Sequence, residues 1–276
     1  MDFVFQRSYR GRLKAVILDW AGTTVDYGCY APAVVFVEVY KRQRVPITME
    51  QARIPMGAHK KVHIRELSKM EDVIAIWEKV HGRKPNEADV DAMFEDFVPL
   101  QLDCLADYAE LIPGTVEAVA AFRKRGLKIG SSTGYIGEMM KLLLEEAKKR
   151  GYEPDASVCA TDVPAGRPHP WMCLKNAMDL SVYPMEAIVK IGDTLPDIWE
   201  GLNAGMWTVG LAKTGNEMGL TEAEIKALDP EIRKTRLQRA YQRLTQAGAH
   251  YVVDGIWDVE PVLDEIQARL ARGERP

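Results

Sequence analysis

The chain has 276 residues, enough for one large domain or for a core that carries an insertion. It is 47% hydrophobic and 28% charged with a net charge of −4, which describes a soluble globular protein and argues against nucleic acid as a partner, since phosphate backbones need a basic surface. No stretch looks like a secretory signal or reaches the ~20 apolar residues of a membrane span, and Cys29, Cys104, Cys159 and Cys173 are scattered without a CxxC pair, so a reducing cytoplasm is expected and a zinc site is not.

In chain order, the run "AVILD" predicts a buried strand ending in Asp19, followed at once by a Gly-Thr-Thr turn. Residues 28–108 then carry helical periodicity: "APAVVFVEVYKRQR", "KVHIRELSKMEDVIAIWEKVHG" and "EADVDAMFEDFVPLQLDCLADYAELI". From Pro113 onward, strands alternate with helices. Strands are expected at 127–132, 156–161, 187–193, 207–212 and 250–255. Helices are expected at 137–151, 170–180 and 196–205, with Gly151 and Gly205 as terminators, and a last helix starts near "VEPVLDEI". The charged segment 214–247 reads as helical surface. This alternation predicts an α/β fold, a doubly wound, mostly parallel Rossmann-like sheet. Residues 1–27 and 109–276 form its core, and 28–108 form an inserted helical cap. In such sheets ligands sit at the carboxyl ends of the strands.

Those ends carry the chemistry. The first strand delivers Asp19, the second Ser132-Thr133-Gly134, the loop after the third Arg167, and the fourth Gly192-Asp193 with Asp197 just beyond. Two carboxylates suit Mg²⁺, which prefers hard oxygen ligands and keeps waters for a substrate oxygen. Thr133 and the backbone N–H groups around Gly22 and Thr23 could bind phosphoryl oxygens, and Arg167 adds a fixed positive fork. Asp19 could then attack phosphorus. Taken singly, Asp19 reads as a turn residue, Thr133 as a helix N-cap and Arg167 as a surface arginine. It is the ordered set at successive strand ends that outweighs these readings.

The set Asp19, Thr133, Arg167, Gly192-Asp193, Asp197 resembles the haloacid dehalogenase superfamily of phosphotransferases. That family reads D-x-D in its first motif, with the second Asp as general acid, and has a lysine in the third. Here those places hold Ala21 and Arg167. A missing acid disfavours ester hydrolysis, where an alkoxide must be protonated. It suits a carbon leaving group, whose electrons need a sink such as an imine formed with lysine. The insertion offers adjacent lysines in "RIPMGAHKKVHIREL", and Lys60 and Lys61 both remain open on this ground.

The motifs "DWAGTTVD", "PMGxxK", "GSSTGY", "DVPAGRPHPWMC" and "IGDTLPDIWEGLNAGMWTVG" resemble the phosphonoacetaldehyde hydrolase family over nearly the whole chain. The resemblance implies a Schiff-base lysine at Lys60, or at Lys61 if the register slips by one. It implies a nucleophile at Asp19 and Mg²⁺ held by Asp19, the Ala21 carbonyl and Asp193, with Asp197 behind them. It places a proton-transfer histidine at His63 and puts Met56, Gly57, Tyr135 and Cys29 beside a small-molecule phosphonate. It also implies a homodimer, with the apolar helix near residues 30–43 as a possible seam. Two other readings stand beside it: a Mg²⁺-dependent phosphate-monoester phosphatase or phosphomutase of the same superfamily, and a non-catalytic phosphate-binding protein.

Overall fold

A computed structural model describes residues 8–276. Six parallel strands form one sheet in the order β3-β2-β1-β4-β5-β6. They are β1 Ala15–Leu18, β2 Lys128–Thr133, β3 Ala156–Cys159, β4 Ile188–Gly192, β5 Trp207–Leu211 and β6 Tyr251–Val253. The order reverses on either side of β1, which makes β1 the switch point where such sheets bind ligands.

β1 is buried on both faces and shows why a four-residue apolar run becomes a central strand. Val16 and Leu18 point into one hydrophobic cluster, and Ala15 and Ile17 point into the opposite one with Cys173 and Ala177. Its register aligns Leu18 with Ser131 of β2 and with Ile191 of β4. The residues that follow, Asp19, Ser132 and Gly192, therefore emerge together at one edge.

Between β1 and β2 lie α1 Tyr30–Arg42, α2 Met49–Arg53, α3 Lys60–Leu67, α4 Glu71–His81, α5 Glu87–Leu105 and α6 Thr115–Lys124. The stretch 28–108 holds helices and no named strand, as its periodicity predicts. Capping boxes at Thr48 and Asn86 start α2 and α5. Phe36 of α1 ties these helices together, with its ring stacked 3.7 Å from His63 of α3 and 4.5 Å from Phe97 of α5. The remaining helices are α7 Gly137–Lys149, α8 Trp171–Asp179, α9 Leu195–Asn203, α10 Glu222–Ala227, α11 Pro230–Gln246 and α12 Val259–Ala271.

Three local expectations need correction. β6 is half the expected length, because only Tyr251–Val253 find partners on β5. The segment from 214 is surface helix only from α10 onward, since Thr214, Asn216 and Met218 are buried in a loop, where Thr214 donates to the Gly22 carbonyl and the Asn216 N–H to Asp193. Thr133 is not a helix N-cap: Ile136 holds that place for α7, and the Thr133 hydroxyl accepts the Tyr135 N–H at 3.2 Å.

Replacing Phe36 with alanine should destabilise the fold by about 3–5 kcal/mol, the cost of a large buried aromatic. Urea unfolding followed by tryptophan fluorescence checks this, and a loss below 1 kcal/mol would show that α1, α3 and α5 do not depend on that ring.

Candidate active site

The chain turns sharply after β1. The Trp20 carbonyl accepts the N–H groups of Thr23, Thr24 and Val25 at 3.0, 2.8 and 3.1 Å, and the Gly22 N–H goes to the carbonyls of Val25 and Asp26 at 2.8 and 3.2 Å. The Gly22 and Thr23 amides are thus committed within the turn and are not the phosphoryl donors the sequence suggested. Both residues serve the neighbouring carboxylate instead. Gly22 has φ +84°, and a Cβ there would lie 2.4 Å from Asp193 Oδ2. The Thr23 hydroxyl donates to Asp193 Oδ1 at 3.1 Å.

Asp19, Asp193 and Asp197 converge at the strand ends, all buried, with ligand-capable oxygens within 4.8 Å of one another. Thr194 N-caps α9 and Asp197 closes its capping box, so helix geometry fixes the third carboxylate. Arg167 crosses the group. Its Nη2 donates to Asp19 Oδ1 at 2.7 Å and to the Ser132 carbonyl at 2.9 Å, and it lies 2.9 Å from Asp197. Its Nε donates to Glu200 at 2.9 Å. Lys190, inside β4, reaches Asp197 at 2.6 Å.

Four buried carboxylates (Asp19, Asp193, Asp197 and Glu200) therefore face two buried cations, Arg167 and Lys190, an excess of two negative charges. Burial pushes the Asp19 and Asp193 carboxyls up; Arg167 and Lys190 oppose this at Asp19, whereas at Asp193 the charges of Asp19 and Asp197 add to it. At Asp197 burial acts the same way, but Arg167 and Lys190 outweigh it and hold the carboxyl low. A divalent cation would cancel the excess, and an all-oxygen donor set suits a hard metal ion. The residues present fit such an ion.

Beside the carboxylates lies a cleft with about 280 Å³ of empty space. Asp19, Ala21, Thr133 and Arg167 line it from the sheet, Tyr135 from the β2–α7 loop, and Cys29, Met56, Gly57 and Lys60 from the helical insertion. Gly57, at φ +91°, lets the insertion close down: a Cβ there would lie 2.4 Å from the Thr194 hydroxyl.

The two lysines are separated cleanly. Lys60 is buried, with its Nζ 4.4 Å from the Tyr135 ring centroid and 5.8 Å from that of Phe36. Lys61 points away and pairs with Asp91 of α5. His59 N-caps α3, with its Nδ1 accepting the Lys61 N–H, so the polar "HKK" is a helix start that sends one lysine inward. Burial foremost, with help from Arg167, lowers the Lys60 pKa to about 8, against the opposing pull of Cys29, Asp19 and Asp26.

His63 does not line this cleft. Its Nε2 bonds the Ala52 carbonyl at 2.8 Å, and its Nδ1 is buried without a partner. Burial, then the Lys60 charge, keeps the ring neutral.

Sequence reasoning missed Lys190, Glu200 and Asn216. Lys190 was visible as the one charge inside "AIVKIG". Glu200 sits three residues past Asp197, which puts both on one face of α9. Asn216, whose backbone N–H donates to Asp193 Oδ2 at 2.8 Å, gave no signal. A roomier cavity lies elsewhere, against α8, with about 1160 Å³ of empty space and an apolar wall that includes Leu174, Met178 and Val182. No cluster of carboxylates like the Asp19 group is found there among the described residues.

Comparison with known proteins agrees with this geometry. The haloacid dehalogenase-like hydrolase family matches residues 13–205. A phosphonoacetaldehyde hydrolase-like protein of Syntrophobacter fumaroxidans is 53% identical over 99% of each chain. A phosphonoacetaldehyde hydrolase of Nitratidesulfovibrio vulgaris is 51% identical over 99% of this chain and 98% of its own. The crystal structure of a phosphonoacetaldehyde hydrolase-like protein from Oleispira antarctica superposes with a TM-score of 0.96 at 42% identity, covering all of both chains. The chain is a haloacid dehalogenase-like hydrolase. Within that class it belongs to the phosphonoacetaldehyde hydrolase family.

A divalent cation should stabilise the fold by about 2.7 kcal/mol at a hundredfold excess over its Kd. The Asp193→Asn variant should lose most of that gain. Thermal unfolding with and without the cation checks both, and an equal gain in the variant would place the ion elsewhere.

Proposed function

We propose that this protein hydrolyses the P–C bond of phosphonoacetaldehyde, giving acetaldehyde and phosphate, within the degradation of 2-aminoethylphosphonate. The observation that carries the reading is that Asp19 and the buried amine of Lys60 face the same cleft while position 21 is alanine. The names of the relatives point the same way.

A P–C bond does not break to a free carbanion, because that leaving group is too basic. Lys60 attacks the aldehyde as the neutral amine, water leaves, and an imine forms. Asp19 then attacks phosphorus, the P–C bond breaks with its electrons flowing into the N-protonated imine, and the Lys60-bound enamine of acetaldehyde remains. A proton added at the enamine carbon returns it to the protonated imine, and water hydrolyses this to acetaldehyde and the free amine, and the aspartyl phosphate to phosphate. Asp19 and Asp193, with the Ala21 carbonyl, would hold Mg²⁺, which supplies charge neutralisation at the phosphoryl group. Arg167 and Thr133 supply fixed positive charge and a hydroxyl beside the reacting oxygens. His63, one turn after Lys60 on α3 and neutral, keeps a free acceptor at Nδ1 for a proton of the amine. Met56, Tyr135 and Cys29 exclude water from the imine.

A phosphatase or phosphomutase would use an acid at position 21 and would have no need to bury a lysine. The reading also carries a cytoplasmic homodimer. α1 already buries most of its apolar residues inside the subunit, with Val34 and Val37 half-buried against the same cluster, so its composition is accounted for without a partner.

Turnover should be far faster on phosphonoacetaldehyde than on phosphate monoesters, and the reverse preference would sink the proposal. Borohydride added with substrate should inactivate the enzyme by reducing the imine at Lys60. Lys60→Arg should abolish trapping and lower kcat/KM on the order of 10³-fold or more, as loss of a covalent nucleophile does. Because the neutral amine reacts, the trapping rate should rise about tenfold from pH 7 to 9 and then level off, whereas an ordinary lysine near ~10.4 would still be climbing. A rate that keeps rising past pH 10 would exclude Lys60 in the environment described.

A further inference from the structure

Arg53 ends α2, three residues before Met56 of the cleft wall. Its side chain turns back to where the chain enters the helical insertion. Nη1 donates to the Gly28 carbonyl at 2.7 Å, to the Cys29 carbonyl at 3.2 Å and to Asn216 Oδ1 at 3.3 Å. Asn216 reciprocates, its Nδ2 donating to the Arg53 carbonyl at 3.1 Å. The Asn216 backbone N–H is the group that holds Asp193 Oδ2 at 2.8 Å. The guanidinium also lies 5.0 Å from the Tyr30 ring, whose hydroxyl donates to Glu224 at 2.7 Å.

The entrance segment that Arg53 grips is unusual in its backbone. Asp26 and Cys29 are non-glycine residues at φ 55° and 54°, with Gly28 between them at 88°. Such conformations persist only where the surroundings impose them. Asp26 is fixed from one side, accepting the N–H groups of Tyr30 and Ala31 at 2.9 and 2.8 Å. On the other side the Arg53 guanidinium takes both carbonyls that the turn presents, and its Nη2 is left buried without a partner. Arg53 touches neither the cleft nor the carboxylates.

The geometry points to Arg53 as a positioning residue that locks three parts into one register: the left-handed 26–29 turn, the Met56–Lys60 loop, and the loop that holds Asp193 through Asn216. Closure of Lys60 over Asp19 and the shape of the cation site are thereby coupled through one side chain. Lysine is only a partial substitute: Nη1 alone makes all three contacts, which an ammonium could share, but lysine lacks the planar guanidinium that lies over the Tyr30 ring. The inference deepens the proposed function, since it uses the Lys60 imine as one of its two readouts.

The test compares Arg53→Ala, Arg53→Lys, Asn216→Ala and the Arg53→Ala/Asn216→Ala double variant with the parent protein. Borohydride trapping with phosphonoacetaldehyde reads Lys60 placement. The Mg²⁺ concentration that gives half the thermal stabilisation reads the carboxylate site without turnover. Each single alanine variant should slow trapping by about tenfold or more, since ångström-scale misplacement costs up to ~10²-fold. Each should also raise the Mg²⁺ half-point several-fold, and Arg53→Lys should recover only part of either loss. The double variant should be no worse than the poorer single, because the pair acts as a unit. Effects that multiply in the double variant overturn the coupling. So does an Arg53 variant that melts earlier with trapping and Mg²⁺ half-point unchanged. If Arg53→Ala fails to fold, Arg53→Lys and Asn216→Ala decide the same question. If the parent protein itself does not trap, the imine reading has failed, and the Mg²⁺ half-points alone judge Arg53.

Discussion

The salt bridge between Arg167 and Asp19 lies at the centre of a group of charges that would each be costly alone in a protein interior. Asp19 is placed by a strand buried on both faces, and nothing in that strand could neutralise it. The neutralising groups are Lys190 from β4 and Arg167 from the loop after β3, while α9 adds two further carboxylates, and all of them meet because parallel register brings the strand ends together. Once Arg167 is shared among Asp19, Asp197 and Glu200, and Lys190 is drawn to Asp197, Asp193 has only the hydroxyl of Thr23 and the backbone of Asn216. A carboxylate left with neutral donors, in a group with two negative charges unbalanced, is an electrostatic demand for a cation. The tight turn at Gly22 follows from the same demand, because a side chain there would occupy the space of Asp193.

Lys60 is set by a contest between burial and these charges. Burial alone would drive the amine far down, while a carboxylate group at short range would keep it an ammonium. The balance, near 8, leaves a useful neutral fraction without removing the attraction that keeps the lysine in the cleft. The burial comes from both sides: Phe36 and Met56 of the helical insertion and Tyr135 of the β2–α7 loop surround the amine or the cleft it faces. The ring of Phe36 that holds α1, α3 and α5 together is thus the same ring that lies over the amine.

Much of this was legible in the sequence, and the reasons differ by residue. β1, β2 and β4 announced themselves as apolar runs ending in Asp19, Thr133 and Asp193, and parallel topology then implied that those ends meet. Helical periodicity marked 28–108 as strand-free. What the sequence hid was the use of hydrogen-bonding capacity. The Gly22 and Thr23 amides looked available for a phosphoryl group, yet the turn closes on them, because the Trp20 carbonyl and the Val25 and Asp26 carbonyls take those donors first. The contact of Asn216 with Asp193 was invisible because it uses the backbone N–H, which every residue but proline possesses. Lys60 and Lys61 could not be separated by composition. Their separation is angular: consecutive helix positions lie about 100° apart, so when one faces the cleft the next faces α5 and Asp91.

The alanine at position 21 follows from the same charge balance. It lines the cleft together with Lys60 and Asp19. A carboxylate there would add a fifth acidic group to a cluster that already exceeds its cations, and it would lie on the side of the lysine. Attraction to that group would raise the Lys60 pKa and hold the amine protonated, which removes the nucleophile that imine formation requires. It would also occupy space in the cleft beside Lys60 that the imine carbon needs. An acid at this position helps an enzyme whose leaving group is an oxygen, because it delivers the proton that oxygen must have. Where the electrons instead flow into an imine, the proton is not wanted at the breaking bond, and the acid would weaken the lysine that makes the sink. The small side chain at position 21 and the buried amine at position 60 are therefore two parts of one electrostatic solution.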